Sequence, residues 1–444
     1  MTPKSADWSM PGRIEVLGKH TDYGGGRVLV CAAQQRITVR AERIAGRPGR
    51  LEVSSDAYPG ILPLDADVAP LLPGGHWGRY VHTVLARLTE NFGPLGPARL
   101  TVSSDLPPAS GMSSSSALIT GVAMALADLD DLPATEAWSA QLPDRVALAG
   151  YAAAIENGKS FGGLSGRPGV GTSGGSLDHT GMLTSEEGMI SAAEFDPMRI
   201  IDRVPLAPEW SFVIGVSGVL AEKTGAAQEL YNRGPALLGQ ILERWNREQG
   251  RADATVQSAL GGLLGDDLES LVALGEDVAV DGATGAAPTS SGAADRMTAA
   301  LDREERLAPL RRLAAAGPER RRLDQFLLES AVLVPRAEAA LRAGDLDSFA
   351  AAVAISQRLA ETHLGNQVPQ TVELVRSAVA LGARAASSFG AGFGGSVWAL
   401  VPTADADGFA QEWMRRYRSA VGAPEGAKAL VTRPGAAGWR VERA

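Results

Sequence analysis

The stretch PGRIEVLGKHTDYGGGRVLVCAA, residues 11 to 33, constrains this chain most. It sets Arg13, Lys19, His20 and Asp22 beside apolar runs that read as buried strands, with three consecutive glycines as the turn between them. Charge at the end of a buried strand must be paired or used, because an unpaired buried ion is costly. The segment therefore reads as the wall of a binding site rather than ordinary surface.

At 444 residues the chain is long enough for two domains with a core each. Its 45% hydrophobic and 21% charged residues place it in the soluble globular class, and 52 glycines and 26 prolines indicate many loops and tight turns. The net charge of −9 argues against nucleic acid or an anionic membrane as main partner, since both select for excess Lys and Arg. Phosphate binding is still allowed if the positive groups are local. The single cysteine, Cys31, lies in an apolar run and has no partner for an internal disulfide, which favours a reducing, cytoplasmic setting. The N-terminus carries no apolar stretch of signal-peptide length, and no apolar run reaches the ~18 residues of a membrane span.

The first half alternates strand signals with helices. GRIEVLG, RVLVCAA, RITVRAER, RLEVSS and ARLTVSS read as strands, WGRYVHTVLARLTENFG and ALITGVAMALADL as helices, and a further helix is expected near 144–156. This pattern predicts an α+β or mixed sandwich architecture. From about residue 205 the texture shifts to one strand, WSFVIGVSG, followed by long helical segments rich in Ala, Leu and Arg. Residues 281–297, DGATGAAPTSSGAADRM, read as a flexible loop, residues 326–359 as helix, GDL turn and helix, and the tail returns to strands at SVWALVP and ALVTRPGAAGWRVER. A division into domains 1–204 and 205–444 is expected.

Three segments carry chemistry. In LPPASGMSSSSAL, residues 106–118, a Gly-Ser loop leads from a strand into an apolar helix. Helix-end amides and the positive end of the helix dipole form an anion site, and serine hydroxyls can ligate magnesium. An isolated serine cluster is usually a linker; the strand-loop-helix context makes this one a phosphate cradle. It lacks the GKS or GKT of a P-loop. In FGAGFGGSVWALV, residues 389–401, four glycines precede a strand and permit close backbone approach to a phosphate or to the first loop. In SGRPGVGTSGGSLDHTGML, residues 165–183, Asp178 closes a glycine-rich run, with Glu156 upstream on a helix. A carboxylate beside a phosphate site can orient or deprotonate an attacking hydroxyl; taken alone, Asp178 reads more readily as a turn or cap residue.

These three segments, in this order, resemble the GHMP kinase superfamily, and PGRIEVLGKHTDYGGG resembles its galactokinase signature. The resemblance extends through WGRYVHTV, the 329–358 region and ALVTRPGAAG, and is thinnest between about 235 and 320. It implies a two-domain GHMP kinase fold with the active site in the cleft between domains, and an ATP-dependent sugar 1-kinase acting on a galactose-type monosaccharide. By the same resemblance, Arg13 and Asp178 would be the catalytic pair at the C1 hydroxyl. His20, Asp22 and Tyr231 would contact the sugar. Gly111 and Ser113, Ser114, Ser115 and Ser116 would cradle the ATP phosphates, and Ser115 or Ser116 with Glu156 would hold Mg2+. The additional serine before Ala117 leaves that register open.

Three features depart from the family pattern. Lys19 stands where galactokinases carry glutamate, on the side of the sugar's C6 hydroxyl. An ammonium there would attract a C6 carboxylate, so a uronic-acid 1-kinase is the alternative, unless Lys19 pairs with a nearby carboxylate. The segment between Glu156 and Asp178 is longer than usual, through GGLSGRPG, and THLGNQVPQT replaces the usual sequence after the SQR helix. A non-catalytic sugar and ATP sensor is a further alternative, which the presence of Arg13, Asp178 and the serines disfavours.

Overall fold

The structure, a computed structural model, describes residues 4–73, 75–107, 110–220, 228–278, 290–422 and 424–442. Seven strands of the first half are β1 (Ser5–Leu17), β2 (Arg27–Arg43), β3 (Arg50–Ser55), β4 (Tyr58–Asp65), β5 (Ala98–Ser104), β6 (Met189–Phe195) and β7 (Met198–Pro205). Five follow: β8 (Trp210–Val216), β9 (Ala385–Phe389), β10 (Ser396–Pro402), β11 (Lys428–Thr432) and β12 (Trp439–Arg440). The larger sheet runs β12-β1-β2-β5-β3-β4, with β6 pairing β2 and carrying β7; the smaller runs β11-β8-β10-β9.

β2 explains why the larger sheet forks. The runs RVLVCAA and RITVRAER, read as two strands, are one strand of 17 residues. Its first half pairs β6 from Arg27 to Val30, and its second half pairs β5 from Ile37 to Arg43. The burial follows the sequence: Val28 to Ala33 is covered on both faces, whereas the second half alternates buried and partly exposed residues as a one-sided strand does. β1 pairs β2 antiparallel along nearly its full length, which carries Arg13 and Glu15 into the region covered on both faces.

The helices of the first half are α1 (Trp77–Phe92), α2 (Ser114–Leu129), α3 (Glu136–Gln141), α4 (Arg145–Asn157) and α5 (Leu177–Thr184). α2 packs on β1 and β2 and is buried from Ser116 to Ala127, as a helix apolar on all sides must be. Gly121 brings it close: a Cβ there would lie 3.0 Å from Val39 Cγ2. One core runs from Met10 and Leu106 through α2 to Phe326, Trp398 and Leu400, so it joins both sheets and the helices of the second half.

In the second half, helix Pro318–Leu328 passes through a π segment, Glu329–Leu333, into helix Val334–Ala343. Pro335 supplies the cause: it has no N–H to donate, and the Val334 N–H reaches back to the Glu329 carbonyl. Gly344 ends that helix in the left-handed region before helix Leu346–Leu359, matching the expected turn.

Two expectations are corrected. Residues 290–297, read as loop, open the helix Ser290–Arg303; the rest of that segment, 281–289, lies outside the described residues. The strands β4, β6, β7 and β9 were not anticipated, and β12 returns the C-terminus to the larger sheet by pairing β1. Among the described residues no helix is long and apolar enough to cross a membrane.

Candidate active site

A cleft between β1, α4, α5 and the loop after β9 brings together half of the site residues expected from the sequence, with Lys19, Gly111 and Ser113 to Ser116 outside its lining. Arg13, His20, Asp22, Glu156, Asp178 and Tyr231 all line one cavity, together with Glu15, His179 and Gly390.

Arg13 is buried on β1, and its guanidinium binds Asp178 Oδ1 through Nε at 2.8 Å and Nη2 at 2.7 Å. Its Nη1 donates to the Gly111 carbonyl, tying the cation to the serine loop. Asp178 is the second residue of α5, where the helix dipole favours a carboxylate. Gly181, one turn later, lets α5 approach β1 and β2: a Cβ there would lie 2.7 Å from Val30 Cγ2 and 3.2 Å from Arg13 Cβ.

The serine loop enters α2 through two left-handed residues, Gly111 (φ 79°) and Ser113 (φ 58°). Ser114 and Ser115 lie half-buried in the first turn, whose amides have no acceptor within the helix. The buried Ser113 Oγ has no hydrogen-bond partner among the described residues, so the loop presents an orphaned donor next to those amides. Gly390 (φ 77°) packs against it, since a Cβ there would lie 2.7 Å from the Gly111 carbonyl oxygen, and Ser396 Oγ donates to the Ser110 carbonyl at 2.6 Å. The 390–395 loop therefore lies directly on the serine loop.

The hydroxyl that meets Glu156 is that of Ser116, at 2.7 Å from Oε2 and 3.4 Å from Asp178 Oδ2. Of the two serines between which the register was open, Ser116 is the one that meets Glu156, because it is buried at the start of α2 whereas Ser115 is half-buried. A carboxylate and a hydroxyl are hard oxygen donors and fit Mg2+, which takes one or two protein ligands and completes its shell with phosphate and water. Among the described residues no group of three His, Cys, Asp or Glu side chains suited to a metal occurs. His179 Nε2 stands 3.2 Å from Glu156 Oε2, and neither ring nitrogen has an aligned hydrogen bond among the described residues.

The HTDY loop supplies the opposite wall. His20 is left-handed (φ 57°), with Nε2 at 3.1 Å from the Ala391 carbonyl and Nδ1 at 3.3 Å from the Tyr23 hydroxyl. A carbonyl only accepts, so Nε2 carries the proton and Nδ1 accepts from Tyr23. Asp22 Oδ2 accepts from the Leu177 N–H at 3.2 Å, linking this loop to the start of α5. Tyr231 comes from helix Gln228–Gln249, its ring centroid 5.8 Å from that of His20. The longer segment after Glu156 contributes Thr172, Gly174 and Gly175 to the cavity wall. Asn366, in THLGNQVPQT, accepts the Phe393 N–H on its carbonyl at 2.6 Å and so holds the glycine loop.

Lys19 does not line the cavity. Its buried ammonium donates to Ser356 Oγ at 2.8 Å and Ser387 Oγ at 2.7 Å, and Glu329 Oε1 accepts from Gly18 N, Lys19 N and Ser356 Oγ. Burial pushes the Lys19 pKa down, against the pull of Glu329, Glu15 and Glu361. Of the two readings of Lys19, substrate contact and engagement within the protein, this network fits the second, with the ammonium held by Ser356 and Ser387.

Two residues escaped the sequence reading. Glu15 lines the cavity and accepts the Gly390 N–H at 2.7 Å; burial pushes its carboxyl up to about 7, although Arg13 and Lys19 pull it down. A signal existed, because Glu15 is two residues from Arg13 on a strand and such residues share a face. Glu329 carried no such local signal; it sits in the π segment and reaches the loop only through the fold.

Family models match three stretches of the chain: the galactokinase galactose-binding signature at residues 3–43, the GHMP kinase N-terminal domain at 79–165 and the GHMP kinase C-terminal domain at 337–419. Among solved structures, Lactococcus lactis galactokinase complexed with galactose is similar at TM-score 0.73 and 21% identity, over 99% of this chain and 95% of that one. A D-glycero-D-manno-heptose 1-phosphate kinase from Bacteroides thetaiotaomicron matches at TM-score 0.51 and 14% identity, over 99% and 100% of the two chains. L. major mevalonate kinase in complex with R-mevalonate matches at TM-score 0.52 and 15% identity, over 97% and 96%. At these identities the structures speak for the fold, and the family models for the lineage. The chain belongs to the GHMP kinases, phosphotransferases with an alcohol group as acceptor, and within them it is a galactokinase-like sugar kinase.

Proposed function

We propose that the protein transfers the γ-phosphoryl group of ATP to the anomeric hydroxyl of a galactose-type hexose, in the cleft between halves 1–204 and 205–444. The observation that carries this reading is the Arg13–Asp178 pair beside the first turn of α2, with Gly111 bonded to the same guanidinium. Phosphoryl transfer needs positioning and charge neutralisation more than covalent help. Asp178 would accept the proton of the attacking hydroxyl or align it, and Arg13 would stabilise the negative charge developing on that oxygen. The amides of Ser114 to Ser116 and the Ser113 hydroxyl would bind phosphate oxygens. Mg2+, held by Ser116 and Glu156, would neutralise part of the phosphate charge when bound.

Galactose as acceptor rests on the signature at residues 3–43 and on the galactose in the Lactococcus lactis structure. His20, Asp22 and Tyr231 would hold the remaining hydroxyls. The uronate reading loses its stated ground, because Lys19 is turned away from the cavity. The sensor reading is disfavoured by the assembled Arg13–Asp178 pair. Incubation with ATP, Mg2+ and a panel of free sugars, followed by NMR location of the phosphate, tests the proposal; absence of sugar-dependent ADP release would overturn it.

A further inference from the structure

A second cavity adjoins the first, and the two share His20 and Tyr231. Their charges are opposite. The first carries the carboxylates of Glu15, Asp22, Glu156 and Asp178 against the guanidinium of Arg13. The second is lined by Arg233, Arg321, Arg322 and His363 and, among the described residues, by no carboxylate. That is unexpected in a chain with 51 acidic and 42 basic residues, where surface arginines have ample partners. Many of its other arginines are paired, among them Arg244 with Glu319, Arg312 with Glu248 and Arg342 with Asp202.

The three guanidiniums have different parts. Arg322 is buried and holds the shared wall, donating to the His20 carbonyl, the Gln325 amide oxygen and the Tyr23 hydroxyl, while its Nε has no partner among the described residues. Arg233 and Arg321 are exposed at the cavity and pair with no carboxylate among the described residues. Leu237, Leu364 and Phe393 add apolar surface, which lowers the local dielectric and strengthens a charge-assisted bond. A planar guanidinium fork matches a carboxylate or phosphate in shape as well as charge.

We propose that this second cavity is an anion subsite of the substrate pocket, taking a carboxylate or phosphate group carried on the part of the sugar remote from the reacting hydroxyl. The inference rests on the sugar-kinase reading and narrows it. The reacting end lies at Arg13 and Asp178, and the second cavity meets the first at the His20 and Tyr231 wall. The carboxylates of the first cavity repel an anion at the reacting end, and the arginines of the second attract it at the far end. Orientation is thereby selected by repulsion as well as attraction.

Calorimetric titration without ATP tests this directly, with galactose, galacturonate, galactose 6-phosphate and inorganic phosphate as probes. The wild type is compared with the double variant Arg233→Ala, Arg321→Ala, whose truncated side chains are both exposed. The expected result is that at least one of the two acidic sugars binds wild type tenfold or more tightly than galactose, and that the double variant loses this preference while binding galactose unchanged. Equal binding of galactose and both acidic sugars to wild type would overturn the proposal, as would a preference that survives in the double variant. Inorganic phosphate binding as tightly as galactose 6-phosphate would also overturn it, by making the cavity a separate anion site. ADP release with ATP and Mg2+ separates the two readings: acidic sugars that bind through the arginines without turnover of any sugar would defeat the kinase reading and leave the subsite standing.

Discussion

Arg13 grips Asp178 by a single oxygen: Nε and Nη2 both reach Oδ1, at 2.8 and 2.7 Å, while Oδ2 is turned toward Ser116. One oxygen fixes the orientation of the carboxylate, and the other faces the same Ser116 hydroxyl that meets Glu156.

Replacing Asp178 with Asn keeps the shape but removes the acceptor charge. Turnover should fall about 1,000-fold, the usual scale for loss of a positioned proton acceptor, while ATP affinity measured by titration stays within about twofold. A variant retaining a tenth or more of wild-type turnover would remove Asp178 from the chemistry.

The serine register gives a paired test. Ser116→Ala and Glu156→Gln should each raise the Mg2+ concentration for half-maximal rate by about tenfold or more, whereas Ser115→Ala should change it little. A Mg2+ titration of the three variants decides, and a large effect from Ser115→Ala alone would assign the metal to Ser115 instead.

Glu15 makes stability depend on pH. Its carboxyl stands at about 7 in the fold against 4.5 for an unperturbed glutamate, chiefly because burial disfavours the charged form. The native state thus binds more protons than the unfolded chain between these values. The stability this group contributes is complete below pH 4.5 and is lost as pH rises through about 7. Glu15→Gln cannot ionise and its amide oxygen can still accept from Gly390. It should exceed wild type by about 2–3 kcal/mol in urea unfolding at pH 8, and the difference should close near pH 4. A gap of equal size at both pH values would contradict this origin.

Lys19 should prove structural. Lys19→Met strands Glu329, which is fully buried, and leaves two serine hydroxyls without their donor, at a cost of about 3–5 kcal/mol in denaturant unfolding. Adding Glu329→Gln should recover part of the loss. Lys19→Glu should destabilise for the same reason, by setting two carboxylates together, rather than exchange one sugar preference for another.

Much of this was legible in the chain itself. Period-two runs marked β1, β2, β3 and β5, helical spacing and the closing glycine marked α1, and the Gly-Ser loop marked the entry into α2, because turn residues and helix starts are local properties. β6, with MISAAEF, was missed because small residues carry little strand signal, and β4 because its proline and glycine read as loop.

What the tertiary structure alone decided was direction. Ser115 and Ser116 are identical in type and adjacent, yet on a helix they point about 100° apart, so only the packing of α2 determines which hydroxyl meets Glu156. Lys19 is a cation in a binding motif by sequence and a buried strut by structure, because its partners Glu329, Ser356 and Ser387 arrive from more than 300 residues away. Residue type determines which chemistry is available, and long-range packing determines which face of the wall each charge serves.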